Sequence, residues 1–170
     1  MTNILIRILF LQCLFSSSAF AQYGAPDGQW PTYGGDLGHT RYSALDQIDA
    51  SNFSDLEVAW RFKTDNLGPS PEYRLQATPL MVDGTIYTTA GTRRAVVALD
   101  AQTGELLWKF GIDEGERGAF APRQLSGRGL AFWQNEDQSK VIYVTPGYQM
   151  VALNADSGQP VADFGNNGVV

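Results

Sequence analysis

Apolar positions along this chain fall into two regimes. Near the start they form one unbroken run, Ile8-Leu9-Phe10-Leu11, continued by Cys13-Leu14-Phe15. After residue 22 they come in short bursts set between Gly, Asp, Asn, Ser and Thr. No stretch there keeps an apolar period of 3.6 residues over three turns, so long helices are not expected. Residues 78–82 and 85–89 are β-rich and flank Asp83-Gly84, a pair that accepts positive φ, which predicts strand, tight turn, strand. Residues 96–100 predict a third strand. Ala101-Gln102-Thr103-Gly104 is a turn with glycine at a left-handed position, and residues 105–110 predict a fourth strand. Four successive strands predict one antiparallel blade. Residues 141–145 and 150–154 begin the same pattern again, and a short helical turn is expected near 49–53.

The pattern repeats in identity as well as in polarity. Ile86-Tyr87-Thr88-Thr89 followed by Val97-Ala98-Leu99-Asp100-Ala101-Gln102-Thr103-Gly104 matches Ile142-Tyr143-Val144-Thr145 followed by Val151-Ala152-Leu153-Asn154-Ala155-Asp156-Ser157-Gly158. The offset is about 55 residues, and Glu57-Val58-Ala59-Trp60-Arg61-Phe62 matches Glu105-Leu106-Leu107-Trp108-Lys109-Phe110 about 48 residues on. Short strands repeating at this spacing predict an all-β fold, a β-propeller of four-stranded antiparallel blades, of which about two are present.

The first apolar run changes the picture of the N-terminus. Arg7 precedes it, and Ala19-Phe20-Ala21 is an A-x-A cleavage site, so residues 1–21 read as a secretory signal and residues 22–170 as the propeller segment. An uncleaved anchor is the alternative, but the run is short of the roughly 20 residues that a membrane-spanning helix needs. Cys13, the sole cysteine, lies in the signal, so the exported part carries no disulfide, thiolate metal site or cysteine nucleophile. A net charge of −6 argues against a nucleic-acid footprint. No P-loop, GxSxG, HExxH or dinucleotide GxGxxG motif is present.

With these residues in view, the chain resembles a known family. The stretch from Ala98 to Trp108 resembles the tryptophan-docking repeat of dehydrogenases dependent on pyrroloquinoline quinone (PQQ), in which the Trp packs between blades and the Gly turn lets blades stack. Trp30-Pro31-Thr32-Tyr33-Gly34-Gly35-Asp36, Thr40-Arg41-Tyr42-Ser43 and Leu45-Asp46-Gln47-Ile48 resemble that family's N-terminal segment, which closes the propeller. Gln76-Ala77-Thr78-Pro79 and Gly127-Arg128-Gly129-Leu130 resemble its next two signatures. The resemblance covers nearly all of residues 28–170 and implies an N-terminal fragment of an eight-bladed propeller, expected to be inactive alone.

The resemblance also implies a site. PQQ is a flat ortho-quinone with three carboxylates, so it needs cations, hydrogen-bond donors and flat apolar surfaces. Arg128 matches the family position that meets a PQQ carboxylate, which a planar guanidinium can hold through two parallel bonds. Gln76 stands where relatives often carry a Glu beside the cofactor, and Thr145 stands where relatives place a Thr whose hydroxyl bonds to PQQ. Gln124 replaces a His of the glucose-oxidising relatives, and the vicinal cysteines of alcohol-oxidising relatives are missing; Ser126-Gly127 stands near their place. The catalytic base and the ligands of the implied Ca²⁺ are expected beyond residue 170. Arg93-Arg94 reads as a solvated blade end, and Asp113, Glu114 and Glu116 as a solvated loop rather than a Ca²⁺ site. His39 reads as a turn residue, and Trp60 and Trp108 as packing residues.

The implied activity is oxidation of a sugar or alcohol hydroxyl, with electrons passed to ubiquinone or a cytochrome c in a periplasmic setting, membrane association being left open. A propeller of the same repeats that binds no PQQ and serves as an envelope scaffold is the alternative.

Overall fold

The computed structural model describes residues 24–170 apart from Pro71, Ser126 and Arg128, so the signal segment 1–21 lies outside the described residues. Two antiparallel sheets carry the architecture. The first orders β1 (Leu80–Val82), β2 (Thr85–Ala90), β3 (Ala95–Asp100) and β4 (Leu106–Phe110) in sequence, and the second orders β5 (Ala131–Gln134), β6 (Ser139–Val144) and β7 (Met150–Asn154) likewise. The first is the expected four-stranded blade and the second is the start of another. The β1–β2 hairpin turns on Asp83 (φ 47°) and Gly84 (φ 80°), the left-handed pair that the Asp-Gly signal predicts.

The core lies between the sheets. Leu80, Val82, Tyr87, Val96 and Ala98 of the first sheet pack with Val141, Tyr143, Val151 and Leu153 of the second and with Leu130 and Ala155 at its strand ends. A second cluster covers the other face of the first sheet, where Leu67, Ala90, Ala95, Val97 and Leu99 meet Trp60 and Phe62. β3 is therefore buried on both faces, with Val96 and Ala98 turned to one core and Val97 and Leu99 to the other. This explains why its sequence is an apolar run rather than an alternation. Full burial of each of Val96, Val97, Leu80 and Leu153 contributes about 1.5–3 kcal/mol.

Two tryptophans fix the spacing of the repeat. Trp60 Nε1 donates to the Ala101 carbonyl at 3.1 Å, and Trp108 Nε1 donates to the Ala155 carbonyl at 2.8 Å. Each indole lies over the glycine of the turn it is bonded to, Trp60 over Gly104 and Trp108 over Gly158. Tyr87 joins the second contact, its ring 6.0 Å from that of Trp108.

The remaining chain covers strand edges. Trp30 exchanges both backbone hydrogen bonds with Met81, so the N-terminal segment lies along the free edge of β1. Val170 does the same with Met150 on the free edge of β7. Both contacts pair amide and carbonyl groups that an open edge would leave bare.

Two expectations are revised. Residues 57–62 match β4 in sequence but form no ladder among the described residues; Trp60 is held instead by its side chain. The expected helical turn at 49–53 falls slightly later, as a 3-10 turn at Phe53–Asp55. No helix among the described residues is long and apolar enough to cross a membrane.

Candidate functional site

Antiparallel pairing puts one set of loops at a common end of the two sheets. The β2–β3 turn (91–94), the β6–β7 turn (145–149), the approach to β1 (76–79) and the run between β4 and β5 (111–130) meet there. That last run contains a five-residue helix, α1 (Gly115–Ala119), which the acidic-loop reading did not foresee. The helix is too short to leave a periodic signal and holds two glycines; Asp113 Oδ1 accepts from the Gly115 amide at 3.0 Å at its start.

Glu114 is the centre of this end. Its Oε1 accepts the Thr145 hydroxyl at 2.7 Å, and its Oε2 accepts the Gly147 amide at 2.7 Å. The β6–β7 turn is built around the carboxylate: a Cβ on Gly147 would sit 2.6 Å from Glu114 Oε1, so a side chain there would displace the carboxylate. Arg117, on α1, donates from Nε to the Gly147 carbonyl at 2.6 Å and closes the turn from the other side. The glutamate had read as part of a solvated loop; it is turned inward because the turn offers two donors that need an acceptor. Asp113 faces outward and pairs with Arg93 at 2.8 Å, and both side chains are largely exposed.

Arg94 departs from the expected solvated blade end. It is half-buried, and its guanidinium donates to four backbone carbonyls. Nε reaches Leu125 at 2.9 Å, Nη1 reaches Val144 at 3.0 Å and Thr145 at 3.1 Å, and Nη2 reaches Arg123 at 2.9 Å. Burial lowers its pKa from the ordinary arginine value, while the Tyr148 hydroxyl and the Glu114 carboxylate pull it back up. It stays charged at neutral pH. Nearby, burial raises the Tyr143 hydroxyl far above its ordinary value, and the Glu114 charge adds to the rise.

The three residues singled out from the sequence differ in what surrounds them. Arg128 lies outside the described residues. The glycine after it, Gly129 (φ 113°), runs against the approach to β1, where a Cβ would sit 3.1 Å from the Thr78 carbonyl oxygen. Gln76 is exposed two residues ahead of Thr78. Thr145 is buried, and its hydroxyl is engaged twice, donating to Glu114 and accepting from the Gln149 amide at 2.9 Å. Gln124 is exposed and donates to the Ala119 carbonyl. A cavity of about 250 Å³ opens at this end, bordered by Thr92, Arg93, Asp113, Glu114, Gln124 and Pro146. Sequence reasoning missed Glu114 and Arg94. The pair Thr145 and Gly147, in a turn rich in donors, is the signal that a carboxylate was required.

The donor set fits a polyanionic planar cofactor in kind. Arg93, Arg94, Arg117 and Arg123 gather here with Glu72, whose carboxylate accepts the Gly91 amide at 3.0 Å, and with Asp113, Glu114 and Glu116, so this end is rich in guanidinium groups balanced by carboxylates on a chain of net charge −6. Among the described residues no group of three or more His, Cys, Asp or Glu side chains is placed to hold a metal ion.

Residues 30–170 match the family model described as PQQ, glucose/ethanol/alcohol dehydrogenase, β-propeller domain. The chain is similar to the quinohemoprotein alcohol dehydrogenase of Comamonas testosteroni, with 33% identity over 90% of this chain and 23% of the relative. It is similar to the dehydrogenase subunit of the alcohol dehydrogenase (quinone) of Gluconobacter oxydans, with 36% identity over 81% of this chain and 17% of the relative. Among solved structures it is similar to a europium-containing methanol dehydrogenase, at a TM-score of 0.61 and 30% identity over 78% of this chain and 22% of that one. The chain thus spans about a fifth of the length of the relatives it matches.

Proposed function

The chain belongs to the glucose/ethanol/alcohol dehydrogenase family of PQQ β-propellers, and from that premise we propose that the protein it is part of oxidises a sugar or alcohol hydroxyl with PQQ as the electron acceptor. When bound, PQQ supplies a two-electron quinone that this protein's own side chains do not offer. The observation that carries the reading is the meeting, at one arginine-rich end of the sheets, of the segments that hold Gln76, Gly129 and Thr145.

Each residue has a task in this reading. Arg128 holds a PQQ carboxylate through its guanidinium, and Gln76 offers an amide beside the cofactor rim. The Thr145 hydroxyl has one proton, and Glu114 accepts it. Thr145 therefore meets the cofactor through its remaining lone pair, or donates to it only after releasing Glu114. A cation such as Ca²⁺ completes the site from residues outside this segment; one relative is named as europium-containing, so a lanthanide is the second cation to test. Relatives named as quinohemoprotein and as quinone-dependent enzymes support ubiquinone or a cytochrome c as the onward acceptor. The signal-like residues 1–21 support an exported, periplasmic protein.

The test uses the full-length gene product. The protein is loaded with PQQ and either Ca²⁺ or a lanthanide, and dye reduction is followed with a panel of sugars and alcohols beside an Arg128→Ala variant. Turnover that requires PQQ and falls at least about 100-fold in the variant is expected, since a charged bidentate contact is lost. A folded full-length protein that binds no PQQ would overturn the reading and leave a scaffold propeller in its place.

A further inference from the structure

The most heavily bonded cation at the candidate site is Arg94, and it holds backbone rather than a carboxylate. Among the described residues no carboxylate lies in ion-pair contact with it. Four of its five N–H groups go to carbonyls of two separate segments: Arg123 and Leu125 in the run before β5, and Val144 and Thr145 where β6 enters its turn. No strand ladder joins those two segments among the described residues. Gly127 lies on the arginine stem, where a Cβ would sit 3.0 Å from Arg94 Cδ and 3.1 Å from Nε. One side chain from the β2–β3 turn thus sets the distance between the backbone of Leu125 and the backbone of Thr145.

We propose that Arg94 is a positioning residue: its planar fork clamps the backbone at Arg123 and Leu125 to the β6–β7 turn and so pre-organises both for the cofactor. What is bound rests on the function proposed above; the clamp itself rests only on the four bonds. The shape of the group is what matters. A lysine would keep the charge but not the Nε donor partway along the stem, and its three N–H groups diverge from one atom, so it cannot serve the same four carbonyls. Arg93, its neighbour, is an outward residue paired with Asp113 and is the control.

The experiment compares the full-length protein, free of PQQ, with Arg94→Ala, Arg94→Lys and Arg93→Ala. Backbone hydrogen exchange is read by mass spectrometry over residues 121–129 and 144–149, and PQQ affinity by quenching of tryptophan fluorescence. Both Arg94 variants are expected to exchange at least about 10-fold faster in those two segments, with β2 and β3 unchanged, and to bind PQQ at least about 10-fold more weakly. Arg93→Ala is expected to match the parent in both. An Arg94→Lys protein that matches the parent would show that charge alone suffices and overturn the clamp, as would Arg94→Ala with unchanged exchange in the two segments. Should Arg94→Ala fail to fold, the lysine variant decides. If the parent itself binds no PQQ, the dehydrogenase reading fails, and the exchange rates still decide whether Arg94 holds the two segments together.

Discussion

Glu114 lies under the Thr145 turn as its only carboxylate partner among the described contacts, taking the Thr145 hydroxyl on one oxygen and the Gly147 amide on the other, each at 2.7 Å. Thr145 and Gly147 are both buried. Removing the carboxylate leaves two donors without an acceptor, at about 1–3 kcal/mol for each that water does not reach. Glu114→Ala is therefore expected to destabilise the protein by about 2–4 kcal/mol, with Glu114→Gln intermediate because its one carbonyl oxygen can satisfy one donor well. Urea unfolding of the three proteins measures this. Equal midpoints would mean that water replaces the carboxylate.

The two tryptophan–glycine contacts predict a matched pair of effects. A Cβ on Gly158 (φ 69°) would lie 2.5 Å from the Trp108 ring, and one on Gly104 (φ 73°) would lie 2.5 Å from the Trp60 ring. Alanine at either position meets a left-handed backbone and an indole that its Nε1 bond prevents from moving aside. Gly158→Ala and Gly104→Ala are each expected to cost about 2–4 kcal/mol. Trp108→Phe in the Gly158→Ala background should recover part of the loss, because the smaller ring frees space; thermal melts of the single and double variants test this.

How much of this was legible in advance follows from the range of each interaction. The hairpin at Asp83-Gly84 and the turns after Asp100 and Asn154 are set by neighbouring residues, so their chemistry is written locally. The bonds from the tryptophan indoles to the turn carbonyls span 41 and 47 residues, yet tryptophan packing against the glycine turns was legible through the family resemblance, whose repeat this chain carries twice. Glu114 and Arg94 were not visible. Their partners lie about 30 and 50 residues away on turns, and nothing repeats them: a glutamate beside Asp113 and an arginine beside Arg93 look like ordinary surface residues until the turns close over them. Arg128, the first cofactor residue implied by the family resemblance, lies outside the described residues; Gly127 lies on Arg94 and Gly129 against Thr78.

Thr89 predicts a gain rather than a loss. It is fully buried on β2, and its hydroxyl finds no hydrogen-bond partner among the described residues. Valine has nearly the same shape and a comparable strand preference, so Thr89→Val removes an unsatisfied polar group without opening a cavity. The melting temperature should rise, by an amount equivalent to about 1 kcal/mol. A fall instead would show that the hydroxyl is satisfied in solution, and a water bridging it would be the next thing to seek.

The last prediction concerns acid and uses the repeat as its own control. Asp100 Oδ1 accepts from the Gln102 and Thr103 amides and from the Thr103 hydroxyl, at 3.0, 2.7 and 2.8 Å. Asn154 Oδ1 does the same in the second copy, accepting from the Asp156 and Ser157 amides and the Ser157 hydroxyl at 3.1, 2.8 and 2.9 Å. The Thr103 amide and hydroxyl hold the Asp100 carboxyl below its ordinary value, against a smaller opposing effect of burial. The folded chain therefore binds that proton more weakly than the unfolded chain. The turn's stabilisation is complete above the ordinary carboxylate range and is lost as pH falls through the lowered value. An amide oxygen accepts the same three bonds and does not titrate there, as Asn154 already demonstrates within the molecule. Asp100→Asn should thus leave the turn intact, leave stability near pH 7 close to that of the parent, and reduce the drop in stability between about pH 5 and pH 2. Unfolding midpoints across that range decide it: parallel acid profiles for parent and variant would mean that the Asp100 turn contributes nothing to the pH dependence.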